Sequence, residues 1–273
     1  MSAAEVHERA YAKVNLVLHV GRPRPDGLHP LCSVFASLDL ADDLRVRPAG
    51  GAGDRVQCEG VNGPNLAAAA ATAFRKKVPS LPPLEIEIEK RIPVAAGLGG
   101  GSADAAAVLR AANRIAGEPL DAPALRAIAA TLGSDVPSQV EPGHALVTGV
   151  GESVERVELP PLAVVLAPQR EGLATAAVYA ELDRRQGWRD GLDPGAAMAA
   201  LSAGRFENDL EPAALALRPE LATVLGELRG AGARAALVSG SGPTCFGVFQ
   251  HYEAARVAAE SIPGALAVPL RAR

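Results

Sequence analysis

The sequence has 273 residues, of which 48% are hydrophobic and 21% are charged, and its formal net charge at pH 7 is −4. This composition is typical of a globular protein with one large domain or two smaller ones. The slightly negative charge argues against a nucleic-acid-binding protein and against a protein that binds anionic membranes through a basic surface.

Three features bear on the cellular compartment. The cysteines (Cys32, Cys58 and Cys245) are widely spaced and match neither a metal-binding pattern nor an even set of disulfides, which favours a reducing environment. The first nine residues lack the apolar core of a signal peptide, and no apolar run reaches the roughly 20 residues that cross a bilayer. We therefore expect a cytoplasmic protein.

The first clear element is a strand. Residues 10–20 alternate strictly, with small and aliphatic residues at even positions, which predicts a strand with Lys13 and Asn15 on its polar face. The segment 21–27 is rich in Pro, Asp and Gly and predicts a turn. Further strands are expected at 31–40 and 44–46, and Asn65 precedes an Ala-rich helix that reaches Lys77. Leu84, Ile86 and Ile88 alternate with glutamates in another strand.

That strand leads into a glycine-rich segment, Gly97-Leu98-Gly99-Gly100-Gly101-Ser102. A glycine turn followed by a helix, with Ser102 as the expected helix cap, lets backbone N–H groups converge on an anion at the positive end of the helix dipole. The segment lacks the Gly-Lys-Ser/Thr of a P-loop, and Ser102 stands where the dinucleotide fingerprint needs glycine. A plain tight turn is the alternative, but the density of glycines favours a phosphate site.

Two helices follow, one that ends near Gly117 and one from Asp121 to Gly133, and then comes Ser134-Asp135-Val136-Pro137. Pro160-Pro161 is the best candidate boundary, which divides the chain into residues 1–159 and 160–273. Strands at 163–166, 235–238, 245–249 and 266–270 are interleaved with helices at 175–186, near Asn208, at 219–229 and at 253–261. Their order predicts an antiparallel, ferredoxin-like α+β layer.

Lys13 and Asp135 each have an ordinary interpretation, as an exposed strand lysine and as a cap of the next helical turn. Together with a phosphate site, these two residues suggest phosphoryl transfer. Transfer of a phosphoryl group to an alcohol needs neutralisation of charge and an acceptor for the hydroxyl proton. A lysine and an aspartate supply both.

Five segments occur in a fixed order and carry a family resemblance. They are Ala12-Lys13-Val14-Asn15-Leu16, Pro25-Asp26-Gly27-Leu28-His29, Pro93 to Ser102, Gly133-Ser134-Asp135-Val136-Pro137 and Ser239-Gly240-Ser241-Gly242-Pro243. In this order they resemble the galactokinase, homoserine kinase, mevalonate kinase and phosphomevalonate kinase (GHMP) superfamily. The strand, Asp-Gly-x-His and Gly-x-Asp-Val-Pro segments are most similar to its members in the non-mevalonate isoprenoid route, whose substrate is a methylerythritol that carries a cytidine diphosphate group.

The resemblance implies a two-domain α+β fold, with an N-terminal ATP-binding domain like the second domain of ribosomal protein S5 and a ferredoxin-like C-terminal domain. It also implies that Asp135 takes the proton from the 2-hydroxyl of the substrate, that Lys13 orients this hydroxyl and neutralises the γ-phosphate, and that Asn15 hydrogen-bonds the substrate. ATP and Mg²⁺ are the expected cofactors, with Ser102 as a metal ligand.

The remaining implied contacts fall into two sets. The ATP phosphates are expected to lie against Pro93, Val94, Ala95, Ala96, Gly97, Leu98, Gly99, Gly100, Gly101, Ser102 and Ala103, with Asn65 and Lys90 near the nucleoside. The substrate is expected to meet Asn15, His29, Phe35, Tyr179, Ser239, Gly240, Ser241 and Gly242. A plain hairpin is the alternative for the 239–242 turn.

His29 is expected to recognise the edge of the cytosine, and Phe35 and Tyr179 to sandwich the ring, although both aromatic residues are equally consistent with core positions. The family usually has Tyr before this histidine, and here Leu28 takes its place. Stacking on a base is worth roughly 1–3 kcal/mol, so the substitution bears directly on affinity for cytidine.

Three alternatives stay open at this point. The acceptor could be mevalonate, homoserine or a sugar, the fold could serve a non-catalytic nucleotide-binding regulator, or its ribosomal likeness could indicate RNA binding. Asp26, His29 and Asn15 argue against the first, Lys13 with Asp135 argues against the second, and the negative net charge argues against the third. The expected partner is a small molecule, with no nucleic acid and no membrane, and the chain is expected to be a monomer or a weak homodimer.

Overall fold

The structure is a computed structural model that describes residues 5–51, 53–61 and 65–272. The described strands are β1 (Val6–Val20), β2 (Leu31–Pro48), β3 (Arg55–Cys58), β4 (Leu84–Glu89), β5 (Ala145–Gly149), β6 (Ser153–Arg156), β7 (Ala163–Ala167), β8 (Glu207–Asn208), β9 (Ala235–Val238), β10 (Cys245–Phe249) and β11 (Leu266–Pro269). The described helices are α1 (Leu66–Lys77), α2 (Gly100–Ile115), α3 (Ala122–Ala130), α4 (Val136–Gln139), α5 (Thr175–Arg185), α6 (Pro194–Ser202), α7 (Glu211–Leu217), α8 (Leu221–Gly230) and α9 (Tyr252–Glu260). None of these helices combines the length and the apolar character that a membrane crossing requires.

The chain divides into two compact units. The first unit contains the described residues up to Ala12 together with Leu40–Val94 and Gly99–Pro142, and the second contains Lys13–Asp39, Ala95–Leu98 and the described residues from Gly143 onward. The glycine-rich segment therefore contributes to both units. These units do not follow a single cut at residue 160, and the expected domains 1–159 and 160–273 stay a prediction.

In the first unit the strand order is β3-β4-β2-β1. β3 and β4 run parallel and are joined through α1, whereas β4 and β2 are antiparallel. The Ala-rich faces of α1 and α2 allow these helices to approach closely and to cover a core that includes Phe74, Ile86 and Leu109. The predicted alternation of β4 is confirmed, since Leu84, Ile86 and Ile88 are its buried residues.

In the second unit the order β11-β7-β10-β9 forms an antiparallel sheet. The chain order β7, α8, β9, β10, α9, β11 produces the ferredoxin-like layer that the sequence predicts. Separate from this sheet, β1 pairs in parallel with β8, and the first half of β2 pairs with β5.

The strand expected at 10–20 is present and begins earlier, at Val6. Lys13, Asn15, Val17 and His19 lie on the face opposite the even-numbered residues, as predicted, and all four are buried, so the alternative of an exposed strand lysine at position 13 is wrong. A strand with neighbours on both edges and cover on both faces buries both sets of side chains. The strands expected at 31–40 and 44–46 are one continuous strand, β2.

The segment around residue 200 also differs from its prediction. The helix expected near Asn208 is instead the short strand β8, with α7 beginning at Glu211, and α6 is a helix that the sequence analysis did not predict. The side chain of Asp193 accepts hydrogen bonds from the backbone N–H groups of Gly195 and Ala196, and Pro194 follows as the first helical residue. Asp-Pro is a recognised helix start, so a local signal for α6 was present.

Candidate active site

The first half of the glycine-rich segment, Ala95–Leu98, is held through its carbonyl groups in the second unit. The Ser239 hydroxyl donates to the Gly97 carbonyl at 2.9 Å, and the Thr244 N–H donates to the Ala96 carbonyl at 3.4 Å. Gly97 has φ of +73°, and a Cβ there would lie 2.6 Å from the carbonyl oxygen of Ser239. Only glycine fits such a close approach in this conformation.

Lys13 lies against the same segment. Its backbone N–H donates to the Leu98 carbonyl at 2.9 Å, and its ammonium donates to Asn15 Oδ1 at 2.9 Å. The ammonium also lies 4.6 Å from the centre of the Phe35 ring, within the range of a cation–π contact. A Cβ at Gly240 would lie 3.4 Å from Asn15 Oδ1 and 3.8 Å from Lys13 Nζ. The second unit thus brings together Lys13, Asn15, the 95–98 segment and the 239–242 turn.

The turn at 239–242 is itself fixed by a residue that sequence reasoning missed. Asn208 Nδ2 donates to the carbonyls of Val238 and Gly240, both at 2.8 Å, and its Oδ1 accepts from the Leu210 N–H at 2.9 Å. Asn208 is buried. No local pattern marks it, because its partners at Val238 and Gly240 lie about thirty residues away along the chain.

The second half of the glycine-rich segment opens helix α2 in the first unit. Gly99, with φ of +72°, is the N-cap, and the helix begins at Gly100. The prediction that Ser102 caps the helix was wrong, because Ser102 is already its third residue and no side chain caps the helix. The first N–H bonded within the helix is that of Ala103, to Gly99. The preceding N–H groups of Gly100, Gly101 and Ser102 are the kind that bind phosphate at a helix N-terminus.

Asp135 belongs to the first unit and occupies the N-cap position of the four-residue helix α4, but its side chain makes no capping hydrogen bond. It is half-buried. The Ser138 hydroxyl donates to the Asp135 carbonyl at 2.8 Å, and Arg110 Nη1 donates to the carbonyl of Gln139 at the other end of α4. Arg110 also donates to Glu8 at 2.8 Å. This buried ion pair ties α2 and β1 to the helix that carries Asp135.

Lys90 lies between two carboxylates in the first unit. Its ammonium donates to Asp42 Oδ2 at 2.5 Å and to Asp104 Oδ2 at 2.7 Å. The other oxygen of Asp42 accepts the backbone N–H groups of Arg91 and Ile92, at 2.6 and 2.8 Å. The sequence predicts Lys90 near a nucleoside but does not reveal these partners.

The burial of this cluster changes the pKa of Asp104 and of Lys90. Burial raises the pKa of Asp104 to about 7, against the opposing pull of Lys90 and with a smaller upward contribution from the nearby Asp42. Burial lowers the pKa of Lys90, but its two acidic neighbours outweigh burial, and the pKa is raised overall. Lys90 therefore stays charged.

Asn65, the other residue expected near the nucleoside, is the N-cap of α1. Its Oδ1 accepts the Ala67 N–H at 2.8 Å. This N-cap hydrogen bond explains why the helix begins at Leu66. Contact between Asn65 and a nucleoside stays a prediction.

The residues expected around a cytosine lie in the second unit. His29 Nδ1 donates to the Gly21 carbonyl at 2.8 Å, and Nε2 lies 3.2 Å from Asp183 Oδ1. The Tyr179 ring centre is 5.1 Å from that of His29. Leu28 is 53% exposed. Both ring nitrogens of His29 lie next to protein groups. Recognition of the cytosine edge by His29 stays a prediction.

Phe35 is a buried member of the core of the second unit and lies beside Lys13. Of the two interpretations that the sequence left open for Phe35, its position in the core is confirmed. Tyr179 packs against the same core while half-buried. Stacking of either ring on a base stays a prediction.

Comparison with known families matches both parts of the chain. The "GHMP kinases N terminal domain" profile matches residues 65–143, and the "GHMP kinases C terminal" profile matches residues 179–267. These matches include the glycine-rich segment, Asp135 and the 239–242 turn.

Individual proteins are similar over nearly the whole chain. A 4-diphosphocytidyl-2-C-methyl-D-erythritol kinase of an Anaeromyxobacter species is 48% identical over 264 residues, which cover 93% of this chain and 85% of the relative. The enzyme of the same name from Nocardia farcinica is 44% identical over 277 residues, which cover 94% of this chain and 89% of the relative.

Solved structures agree with these matches. The crystal structure of a 4-(cytidine 5'-diphospho)-2C-methyl-D-erythritol kinase has a TM-score of 0.83 and 37% identity, and the match covers 98% of this chain and all of that one. A homoserine kinase from Cytophaga hutchinsonii, at 19% identity and a TM-score of 0.69 over 98% and 94% of the two chains, shares the fold. The chain belongs to the GHMP kinases and, among them, to the family of 4-diphosphocytidyl-2-C-methyl-D-erythritol kinases.

Proposed function

We propose that this chain transfers the γ-phosphoryl group of ATP to the 2-hydroxyl of 4-diphosphocytidyl-2-C-methyl-D-erythritol, a step in isoprenoid precursor synthesis. The observation that carries the proposal is the setting of Lys13. Its backbone is bonded to the glycine-rich segment, and its ammonium is oriented by Asn15 beside Gly240. A fixed cation beside a phosphate-binding segment is what phosphoryl transfer requires.

In the proposed reaction Asp135 accepts the proton of the 2-hydroxyl as its oxygen forms a bond to the γ-phosphorus. The bond between that phosphorus and the bridging oxygen breaks, and ADP leaves with the electron pair. Lys13 stabilises the charge on the transferring group. Asn15 donates a hydrogen bond to the substrate. The 239–242 turn, held by Asn208, closes over the substrate or the phosphates.

The glycine-rich segment is proposed to bind the ATP phosphates. The N–H groups that open α2 supply donors, and Gly100 and Gly101 place no side chain between them and an approaching anion. The described residues contain no cluster of three or more His, Cys, Asp or Glu side chains suited to a metal ion. Mg²⁺ fits this arrangement, because it commonly binds through substrate phosphates and one or two protein oxygens, and Ser102 would hold it. When bound, Mg²⁺ neutralises charge on the phosphates.

The cytidine end of the substrate is assigned to His29, Phe35 and Tyr179. A tyrosine that stacks on the base is expected at position 28 in this family, and Leu28 cannot supply an aromatic face. Compartment and assembly follow the sequence expectations: a cytoplasmic monomer or weak homodimer, with a small-molecule partner and neither nucleic acid nor membrane.

The first experiment compares acceptors. Purified protein with ATP and Mg²⁺ should phosphorylate the cytidyl compound and should leave mevalonate and homoserine unchanged, measured by ADP release and by mass of the product. Activity on mevalonate or homoserine alone would refute the proposed substrate. ATP binding without transfer to any acceptor would favour a regulator instead.

The second experiment tests the base. Asp135→Asn should lower kcat at least about 100-fold with ATP affinity retained, because the amide cannot accept the proton. Asp121→Asn is a matched control, since Asp121 caps α3 through Ala124 and asparagine caps equally well. Its kcat should equal that of the wild type. Near-normal turnover of Asp135→Asn would exclude the assigned role.

A further inference from the structure

A line of hydrogen bonds in the second unit connects Lys13 to the backbone of β1 through two buried side chains. Lys13 Nζ donates to Asn15 Oδ1 at 2.9 Å, Asn15 Nδ2 donates to Ser33 Oγ at 2.8 Å, and Ser33 Oγ donates to the Val17 carbonyl at 2.6 Å. Ser33, on β2, is completely buried, and Asn15 is 2% exposed. The line therefore lies inside the protein, apart from bulk water.

The direction of every bond in this line is determined by its two ends. An ammonium group only donates, so the amide oxygen of Asn15 must face Lys13. The NH₂ of that amide then faces Ser33, whose oxygen accepts. The hydroxyl proton of Ser33 is left for the Val17 carbonyl, which only accepts. A reversed Asn15 amide would set two donors against each other at Lys13 and would leave the Val17 carbonyl without its donor.

We propose that Ser33 is a positioning residue for phosphoryl transfer, which acts through Asn15 to hold the ammonium of Lys13 in place. Ser33 is outside the segments that carry the family resemblance, and it contacts Lys13 only through Asn15. The inference rests on the role proposed for Lys13 above. Without the Ser33 hydroxyl, a buried amide N–H loses its partner and the Asn15 side chain is free to rotate. The oxygen that orients Lys13 is then no longer fixed.

The test compares two serines of the same strand. Ser33→Ala should lower kcat about 10-fold with KM for ATP within about twofold, because displacement of a catalytic group slows the chemical step. Ser37→Ala removes the same atom four residues further along β2. Ser37 is 2% exposed, and its hydroxyl oxygen has no hydrogen-bond partner among the described residues. Its kcat should match the wild type. Equal effects of the two substitutions, or none from Ser33→Ala, would overturn the inference.

Two further variants separate positioning from a general loss of packing. Ser33→Cys keeps the size of the side chain with a weaker donor and acceptor, and its kcat should lie between those of the wild type and Ser33→Ala. Since Ser33 acts through Asn15, adding Ser33→Ala to Asn15→Ala should change kcat less than twofold. A further 10-fold loss in the double variant would show that Ser33 acts independently and would overturn the inference. Thermal unfolding of each variant shows that it is folded.

Failure of the inference is distinguishable from failure of the proposed function. If Lys13→Ala loses turnover while Ser33→Ala keeps it, the role of Lys13 stands and the role of Ser33 is excluded. If Lys13→Ala itself keeps turnover, the assigned role of Lys13 is wrong, and the role of Ser33 falls with it.

Discussion

Lys13 is buried and Lys90 is half-buried, and both lie at a predicted strand or beside the glycine-rich segment, yet their surroundings differ. Lys90 in the first unit donates to the carboxylates of Asp42 and Asp104. Lys13 in the second unit contacts the neutral amide of Asn15 and the ring of Phe35. Lys90 compensates buried negative charge, whereas the contacts described for Lys13 include an amide oxygen and an aromatic ring.

The two surroundings predict different roles, structural for Lys90 and functional for Lys13. Removal of Lys90 leaves two buried carboxyl groups without their cation, and the cost falls on folding. Removal of Lys13 is expected to affect mainly the reaction, because its ammonium is proposed to stabilise charge that develops during the transfer. The predictions below test this contrast from the largest expected effect to the smallest.

Lys90→Met should lower the free energy of unfolding by about 3–5 kcal/mol, because one partner of a buried ion pair is lost and the others stay. Urea unfolding at pH 7 measures this change. Lys76→Met, at an exposed position near the end of α1, should change stability by only about 0.5 kcal/mol. An equally small effect at Lys90 would contradict its anchoring role.

Lys13→Ala should reduce kcat about 100-fold and should cost much less stability than Lys90→Met. The reason is that Lys13 is proposed to act on charge that develops during the transfer, whereas Lys90 neutralises two buried carboxyl groups in the folded protein. Steady-state kinetics and urea unfolding on the same preparation give both quantities. If Lys13→Ala lost much stability but little kcat, Lys13 would have a structural role rather than the proposed functional one.

Asp104→Asn should alter how stability depends on pH. Burial raises the pKa of Asp104 from 3.8 to about 7, so the folded protein holds a proton that the unfolded chain releases. The stability due to this group is complete below about pH 3.8 and is lost as pH rises towards 7. The variant lacks this loss, and its stability relative to the wild type should therefore increase between pH 4.5 and 7. Unfolding curves across that range that stay parallel would disprove the raised pKa.

Gly100→Ala should be slightly destabilising, by about 1 kcal/mol, despite the better helix propensity of alanine. A Cβ at Gly100 would lie 3.1 Å from Ile92 Cγ2 and 3.4 Å from Lys90 Nζ, and the two carboxylates keep that ammonium from moving. At Gly101 the nearest atom, Leu66 Cδ1, is 3.8 Å away. Gly101→Ala should therefore be neutral or stabilising by up to about 1 kcal/mol. If thermal unfolding ranks the two variants in the opposite order, the Lys90 and Ile92 side chains can move to make room for a Cβ at Gly100.

Much of this protein follows from its sequence, because the signals are local. Alternation over a few residues identified β1 and β4, and the glycine density with the helix behind it predicted an anion site. The order of five short segments identified the family. Lys13, Asn15 and Asp135 were found in this way because each lies inside such a segment.

Other features depend on contacts between distant parts of the chain, which no window of sequence contains. Asp42 meets Lys90 across 48 residues, and Ser33 meets Asn15 across 18. Ser102 was expected to cap α2, but the helix starts earlier at Gly100, where the Ile92 and Lys90 side chains leave little room for a Cβ. The sequence by itself predicted which residues carry the chemistry. The tertiary structure decided which of them are aimed, capped or neutralised, because those properties depend on partners that only folding brings together.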